Sequence, residues 1–230
     1  MQTRLFDPAA DVAITHGRLP HWEQVGAFHF ITFHAADSLP RGVRDAWHDE
    51  RDRWLWSRGI DVRDVHWEVR FASLPAAEQR AFRRRFAQFR QHVLDQGHGS
   101  CVLRQPRLRG IVVEALRKFD GDRYTLEAFA VMPNHVHVLA AFDRVGALSK
   151  ECRGWKRFSA LRLNRELSRS GAFWQAESWD HLVRSAESLE RIRRYIAENP
   201  RRAGLGEEEA TVYVRDTKRK GPVVLQPRVR

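Results

Sequence analysis

The stretch of sequence that decides the fold reads Phe129-Ala130-Val131-Met132-Pro133-Asn134-His135-Val136-His137-Val138-Leu139. Proline fixes φ and asparagine tolerates the left-handed region, so Met-Pro-Asn predicts a turn between two strands. Side chains alternate between the faces of a strand, so His135 and His137 point the same way, about 7 Å apart at the backbone. Their imidazoles can therefore converge on one metal ion. The same pattern also fits two half-buried core histidines.

A second informative element lies about sixty residues downstream and reads Arg194-Tyr195-Ile196-Ala197-Glu198-Asn199-Pro200. It closes a segment with the apolar spacing of a helix, at Leu189, Ile192 and Ile196. Proline disfavours helical geometry in the preceding residue, which predicts that this helix ends at Asn199. Tyr195 and Asn199 are four residues apart and share a helix face at the margin of the apolar stripe. A catalytic pair and a core-edge tyrosine with a helix-terminal asparagine both fit this pattern.

The charge of the chain favours a polyanionic partner. Lys and Arg number 40 against 29 Asp and Glu, a formal charge of +11 with a pI near 10.7. Such an excess favours nucleic acid over a membrane surface, since no basic amphipathic segment stands out as an anchor. Arginine outnumbers lysine 35 to 5, which suits bidentate phosphate contacts but also follows from a GC-rich genome. The candidate phosphate-binding residues are Arg153, Lys156 and Arg157 on one predicted helix and Arg83 and Arg84 on another.

Length and composition set the remaining limits. With 230 residues, 43% of them hydrophobic, the chain can bury the core of one domain. Cys101 and Cys152 do not have the spacing of a metal site or a disulfide framework. We find no secretory segment and no apolar run long enough to span a bilayer, so we expect a cytoplasmic protein. The predicted organisation is an irregular lead-in over 1–26, a domain over 27–205 with a Trp-rich insertion at about 41–73, and a loosely ordered basic tail over 206–230.

The order of predicted elements indicates a fold class. Strands are predicted at about 27–35, 123–132, 134–142 and 175–183, and helices at about 75–96, 106–119, 148–167 and 188–199. Without the insertion the order is strand, helix, two-stranded hairpin, helix, strand and a final helix. This is the βαββαβ order of a ferredoxin-like α+β sandwich, with a trailing helix that could bring Tyr195 over the two histidines.

Two motifs in this chain resemble those of a known family. Met132-Pro133-Asn134-His135-Val136-His137-Val138-Leu139 is followed by Tyr195-Ile196-x-x-Asn199-Pro200-x-x-Ala203-Gly204-Leu205. Together they resemble the HUH-type single-tyrosine transposases, and most closely the REP-associated tyrosine transposases. The similarity extends over roughly residues 20–205. The stretch at 41–73 and the basic tail depart from the family pattern.

The resemblance implies an activity and a set of site residues. The family cuts single-stranded DNA and forms a 5′-phosphotyrosine, here on Tyr195, in hairpin DNA flanked by unpaired guide bases. His135, His137 and Asn199 would bind a divalent ion, Mg²⁺ or Mn²⁺, although imidazole ligands also suit zinc. Asp180 is a candidate carboxylate for orienting a ligand histidine, and equally a candidate turn cap. The oligomeric state expected from the family is a monomer or a homodimer.

Three other functions fit parts of the same pattern. A DNA-binding regulator could keep the fold and lose turnover. An RNA-binding module could use the same βαββαβ sheet, although its strands lack the Gly-aromatic pattern of RNA-recognition motifs. A metal hydrolase could use water in place of Tyr195.

Overall fold

The structure of the protein is a computed structural model, and it describes residue 3 and residues 5–16, 20–176 and 178–216. The strands are β1 (Ala13–His16), β2 (Pro20–Glu23), β3 (Phe28–His34), β4 (Tyr124–Val131), β5 (His135–Phe142), β6 (Trp179–Leu182) and β7 (Thr211–Val214). The helices are α1 (Arg41–Trp56), α2 (Trp67–Ala72), α3 (Ala76–Asp95), α4 (Pro106–Arg117), α5 (Ala147–Glu166) and α6 (Ala186–Arg202).

The chain divides into two compact units. The first contains residues 1–36 and 101–230, and the second contains residues 37–100, which form an insertion between β3 and α4. No helix in the described ranges is both long enough and apolar enough to cross a membrane.

The first unit is built on a five-stranded antiparallel sheet with the strand order β6-β3-β5-β4-β7. Numbered within the βαββαβ repeat, its first four positions are the fourth, first, third and second strands, which is the ferredoxin-like order. The predicted α+β fold class is therefore confirmed. Helices α4 and α5 pack on one face of the sheet, and the trailing helix α6 packs on the other.

The turn between β4 and β5 determines where the two histidines lie. Only Pro133 and Asn134 separate the hydrogen-bonded ends of the hairpin, where the Met132 N–H donates to the His135 carbonyl at 2.9 Å. His135 is thus the first residue of β5, and Val136 and Val138 point into the core beneath α4 and α5. A slip of one residue would turn both histidines into that apolar core, so the apolar face fixes the register.

Both ends of the first unit have more secondary structure than the sequence predicted. The lead-in over 1–26 contains the β1–β2 hairpin, which its mixed composition did not indicate. The predicted loose tail contains β7, which pairs with β4 and buries Tyr213. The alternation Thr-Val-Tyr-Val explains this strand, because its side chains alternate between the two sheet faces. Residues 217–230, the rest of the predicted tail, lie outside the described residues.

Helix α6 continues beyond its predicted end at Asn199 and contains Pro200. A proline in the last turn removes only one helical hydrogen bond, so the final turn can still form. The Leu205 N–H donates to the Pro200 carbonyl at 2.9 Å and the Gly204 N–H to the Arg201 carbonyl at 3.1 Å. Gly204 has a φ of 69°, the left-handed geometry with which helices commonly end.

The insertion is larger than the predicted Trp-rich stretch and contains α1, α2 and α3. An aromatic cluster joins its helices through ring contacts of Phe82 with Trp54, Phe71 and Phe86. Its two ends meet, because the Ser100 N–H donates to the Asp37 carboxylate at 2.9 Å. A Cβ at Gly99 would lie 2.6 Å from the Asp37 carbonyl oxygen, so this close approach requires glycine.

Candidate functional site

The histidines of β5 lie side by side on the sheet face that α6 covers. Both are buried, with 1% of His135 and none of His137 exposed. Their ring centroids are 4.8 Å apart, and the ring planes are inclined at 76°. This is the same-face arrangement that the His-x-His spacing predicts.

Each histidine is oriented by a neighbouring side chain through its Nδ1. The Nδ1 of His135 is 2.7 Å from the Asn134 Oδ1, and the Nδ1 of His137 is 2.9 Å from the Thr32 Oγ1. An amide oxygen only accepts hydrogen bonds, so the proton of His135 belongs on Nδ1 and the lone pair on Nε2. When the Thr32 hydroxyl accepts a hydrogen bond from the Nδ1 of His137, that histidine also carries its proton on Nδ1 and its lone pair on Nε2. Metal-binding histidines are commonly held in this way, with Nε2 as the ligand atom.

Burial keeps His135 uncharged. It lowers the pKa of His135 well below 6.5, and the nearby His137 and His34 lower it further. A neutral imidazole is the form that binds a metal ion.

Helix α6 brings Tyr195 to these histidines. The helix begins at Ser185, whose hydroxyl accepts a hydrogen bond from the Ser188 N–H at 3.1 Å. Ile192 and Ile196 are buried against the sheet, and Tyr195 lies at the edge of this apolar stripe, only partly buried. Its hydroxyl is 3.4 Å from the Nε2 of His137. The tyrosine ring is packed, and its hydroxyl oxygen lies beside the buried histidines.

The rings around Tyr195 hold it in place. Phe30 stacks on His137 with centroids 5.4 Å apart and meets Tyr195 edge-on at 5.9 Å. Phe30 lies on β3, one strand away from the histidines. Because the phenylalanine contacts both rings, it couples the position of the phenol to that of His137.

An ion-pair group anchors the side of α6 away from the tyrosine. Arg193 contacts Glu127 at 3.0 Å and Glu190 at 2.9 Å, and it donates to the Arg215 carbonyl. The Nε–H of Arg193 has no hydrogen-bond geometry to an acceptor, so its contact with Glu127 is Coulombic. Burial raises the pKa of Glu127, while Arg193 and Arg215 lower it. Glu127 lies at a β-bulge of β4, so these contacts fix the helix to the sheet.

Asn199 is buried one turn beyond Tyr195. It is 1% exposed, and neither its Oδ1 nor its Nδ2 has a hydrogen-bond partner. In the described part of the chain it is the one side chain with two such atoms. An unsatisfied buried polar group destabilises a fold by about 1–3 kcal/mol. The buried amide is therefore explained if it binds a group that the protein itself does not supply.

Asp180 does not lie beside the histidines. It pairs across the strands with Ile31, whose side chain belongs to the core beneath α4 and α5. Cross-strand partners share a face, so the carboxylate lies on the opposite side of the sheet, near Cys152. Burial raises the pKa of the Cys152 thiol, and Asp180 adds a smaller increase. This position does not support the prediction that Asp180 orients a ligand histidine. The Nδ1 atoms of His135 and His137 contact Asn134 and Thr32 instead.

The predicted phosphate-binding residues do not adjoin the tyrosine. Arg153 and Arg157 are exposed on α5, in the layer opposite α6. The Lys156 ammonium donates to the carbonyls of Gln175 and Ala176 at 2.9 and 2.6 Å, so it holds the segment before β6. In the insertion, Arg84 is exposed, and the side chain of Arg83 lies outside the described residues.

Sequence reasoning missed the roles of Thr32, Asn134 and Phe30. Asn134 was interpreted only as a turn residue. Thr32 and Phe30 alternate with core residues of β3, which places them on one face. What the sequence lacked was the register of β3 against β5, which sets Thr32 opposite His137.

Within the described ranges, no group of three or more His, Cys, Asp or Glu side chains could hold a metal ion. The predicted set differs from such a group, because its third ligand is the amide of Asn199. Two imidazoles and one amide oxygen form an acceptable but weak set for a hard divalent ion, with coordination positions left for phosphate oxygens and water.

Part of this chain matches the model of a known family, and the chain is similar to solved structures. The model of the family described as "Transposase IS200 like" matches residues 102–199. No curated protein matches the sequence. A solved REP-associated tyrosine transposase bound to a REP hairpin is 14% identical, with 84% of this chain and 77% of that chain covered and a TM-score of 0.41. A "putative transposase" from Deinococcus radiodurans R1 is also 14% identical, with 86% of this chain and 98% of that chain covered and a TM-score of 0.28.

Proposed function

We propose that this chain, whose residues 102–199 match the model of the IS200-like transposase family, is a metal-dependent single-stranded DNA endonuclease and strand transferase. Tyr195 is the nucleophile in this proposal. The observation that carries it is the 3.4 Å approach of the Tyr195 hydroxyl to the Nε2 of His137, beside a second buried histidine.

The buried residues next to the tyrosine fit a divalent ion. Asn199 has two polar atoms that no hydrogen bond satisfies, and His135 and His137 carry Nδ1 hydrogen bonds that direct Nε2 to ligation. These three residues would hold Mg²⁺ or Mn²⁺. When bound, such an ion polarises the scissile phosphate and offsets the charge that develops on it and on the leaving oxygen.

The reaction that this arrangement supports exchanges one phosphodiester for another. The Tyr195 oxygen attacks phosphorus, a tyrosine–phosphate bond forms, and the bond from phosphorus to the 3′ oxygen breaks. The phenol loses its proton, and the 3′ oxygen gains one as it leaves as a hydroxyl. Because the diester is conserved, a 3′-OH can later attack the phosphotyrosine and rejoin the DNA without ATP.

The protein contributes placement to this step. Phe30 and His137 contact the Tyr195 ring, and the Arg193 ion pairs hold α6 on the sheet. A nucleophile held in position can supply several kcal/mol of the barrier lowering, on the order of 7–11 kcal/mol at best.

The proposed substrate is a short DNA hairpin flanked by unpaired bases. The formal charge of +11 supports a polyanionic partner, and the resemblance to REP-associated transposases supports the hairpin. In this proposal the enzyme works in the cytoplasm as a monomer or a homodimer.

A covalent-adduct assay tests the function. Labelled hairpin DNA and Mn²⁺ should give an SDS-resistant protein–DNA adduct with the wild-type chain and none with Tyr195→Phe. Tyr213→Phe is the matched control, since its buried hydroxyl lies in the other layer of the sheet and has no hydrogen-bond partner.

Each contrary result identifies another function. Cleavage by Tyr195→Phe without an adduct would show a hydrolase that uses water. DNA binding by the wild-type chain without cleavage would show a regulator. Binding of RNA in preference to single-stranded DNA would show an RNA-binding module.

A further inference from the structure

The side chain of Arg202 lies against the ring of Tyr195. The Arg202 Cζ is 5.8 Å from the ring centroid, and the residue is exposed. Arg202 is the last residue of α6. Helical side chains tilt toward the N-terminus of their helix, so an arginine in the last turn extends back over the turns that contain the tyrosine.

The continuation of α6 past Pro200 creates this contact. The last turn is closed by the hydrogen bonds from Leu205 to Pro200 and from Gly204 to Arg201. A helix that ended at Asn199 would not carry the arginine along the same face. The three residues after Asn199 therefore add a cation to the surroundings of the tyrosine.

The guanidinium of Arg202 does not hold the fold together through ion pairs in the way that Arg193 does. Among the residues that the structure describes, Arg202 contacts the Tyr195 ring. Arg193, on the same helix, is engaged by two carboxylates and a backbone carbonyl. The five N–H donors of Arg202 remain for a ligand, and arginine donors suit phosphate oxygens.

We propose that Arg202 binds a non-bridging oxygen of the phosphate that Tyr195 attacks, and that it keeps this contact in the phosphotyrosine intermediate. The proposal rests on the proposed function and adds a catalytic residue to it. His135, His137 and Asn199 are buried on the sheet side of the tyrosine, whereas Arg202 is exposed to solvent. A phosphate on the phenol oxygen would then be held from both sides, by the ligand set and by the guanidinium.

The chemistry of the step gives Arg202 its function. Charge on the equatorial oxygens of phosphorus is the feature that a fixed cation stabilises during phosphoryl transfer. A single charge-assisted hydrogen bond made in the transition state corresponds to about a 10- to 100-fold change in rate. The cation–π contact holds the guanidinium near the ring before DNA arrives.

The test compares Arg202→Ala with Arg201→Ala. Both changes remove one exposed arginine from the last turn of α6, so they remove the same charge from the same helix end. The rate of adduct formation is measured at saturating hairpin DNA and Mn²⁺, and the Kd for the hairpin is measured at the same salt concentration. Arg202→Ala should slow adduct formation about 10- to 100-fold, Arg201→Ala should stay within about twofold of wild type, and the two Kd values should agree.

Two further measurements separate catalysis from folding. Arg202→Lys, which keeps the charge without the fork of donors, should recover part of the rate. Hairpin DNA with a phosphorothioate at the scissile linkage exists as two diastereomers. In one of them sulfur replaces the oxygen that Arg202 contacts, so wild type and Arg202→Ala should form adduct with that diastereomer at nearly the same rate. Thermal unfolding checks that each variant is folded, and a variant that unfolds is replaced by Arg202→Gln in the same comparison.

The outcomes distinguish a failure of this inference from a failure of the proposed function. If Arg202→Ala and Arg201→Ala form adduct at equal rates, or differ only in Kd, Arg202 does not act on the reacting phosphate. If the wild-type chain forms no Tyr195-dependent adduct, the proposed function itself fails.

Discussion

The two faces of the five-stranded sheet differ in the kind of polar group that they bury. On the face covered by α4 and α5, the Tyr124 hydroxyl donates to the Leu116 carbonyl at 2.8 Å and accepts from the Trp155 indole at 3.0 Å. On the face covered by α6, Asn199 is buried with neither amide atom bonded. Strand β5 contributes valines to the first face and histidines to the second.

This difference teaches where each kind of stabilisation lies. The face with α4 and α5 contains most of the apolar core, and apolar burial is the main favourable term in folding. The face with α6 carries two buried imidazoles and an unsatisfied amide, which destabilise the fold unless a ligand compensates. The stability supplied by the first layer thus offsets the cost of the polar groups buried in the second.

The strongest test of this contrast removes the ligands on the α6 face. His135→Ala or His137→Ala should reduce cleavage at least about 100-fold, because charge on one phosphate is no longer offset. EDTA should act likewise, and Asn199→Ala should be milder, since a neutral amide is the weakest ligand of the three. Cleavage and DNA affinity are measured together, and affinity should be largely retained. Normal cleavage by both histidine variants would make these residues ordinary core histidines.

A smaller effect is expected at Thr32, which orients His137 from the neighbouring strand. Thr32→Val removes the hydroxyl and keeps the shape, so the imidazole can rotate. The loss of such an orienting partner typically reduces metal affinity or activity about 10- to 100-fold. We expect this loss at limiting Mn²⁺ and partial recovery at saturating Mn²⁺. Thr125→Val on β4 is the control, and equal behaviour of the two variants would mean that Thr32 does not orient the ligand.

On the other face, Tyr124→Phe should affect stability and leave cleavage unchanged at moderate pH. The substitution leaves the Trp155 indole and the Leu116 carbonyl without their hydrogen-bond partner, which should lower the free energy of unfolding by about 1–3 kcal/mol. Burial raises the pKa of Tyr124 to about 12, whereas an unfolded tyrosine titrates near 10. The unfolded chain therefore loses its proton first, and wild-type stability should fall as the pH rises from about 10 to about 12. Denaturant unfolding over this pH range should show a shallower fall for the variant than for the wild type.

The smallest effect is expected on the exposed surface of α5. Replacing Arg153 and Arg157 by glutamine should weaken binding of hairpin and unrelated single strands alike, by less than about tenfold at moderate salt. If about 4–6 phosphates are contacted, log K should fall against log[salt] with a slope of about −3 to −5, and the double variant should be shallower. Unchanged affinity and slope would place the DNA elsewhere, and paired changes of Arg83 and Arg84 would test the insertion next.

The placements that sequence patterns predicted correctly are those that depend on local periodicity. Alternation along β5 placed His135 and His137 on one face, and helical spacing placed Tyr195 and Asn199 on one side of α6. These face assignments depend only on residues that are close together in the sequence. The model of the IS200-like transposase family matches residues 102–199, the part of the chain that contains both motifs up to Asn199.

The sequence was least informative where distant strands had to be related. Asp180 follows the expected approach to the tyrosine helix, yet the pairing of β6 with β3 turns it to the opposite face. Thr32 was passed over because nothing local links it to His137, 105 residues away. Register between strands is set by tertiary packing, which a single sequence does not display.

The insertion between β3 and α4 begins and ends at the same point, where Ser100 binds Asp37 over the glycine at position 99. Closing a loop costs about 0.6 kcal/mol more for each doubling of its length, so 64 unstructured residues would cost roughly 2–3 kcal/mol more than a four-residue turn. A folded unit whose two ends are adjacent avoids most of this entropy cost, because its ends span only a short distance. The entropy cost of connecting β3 to α4 through residues 37–100 is therefore close to that of a short turn.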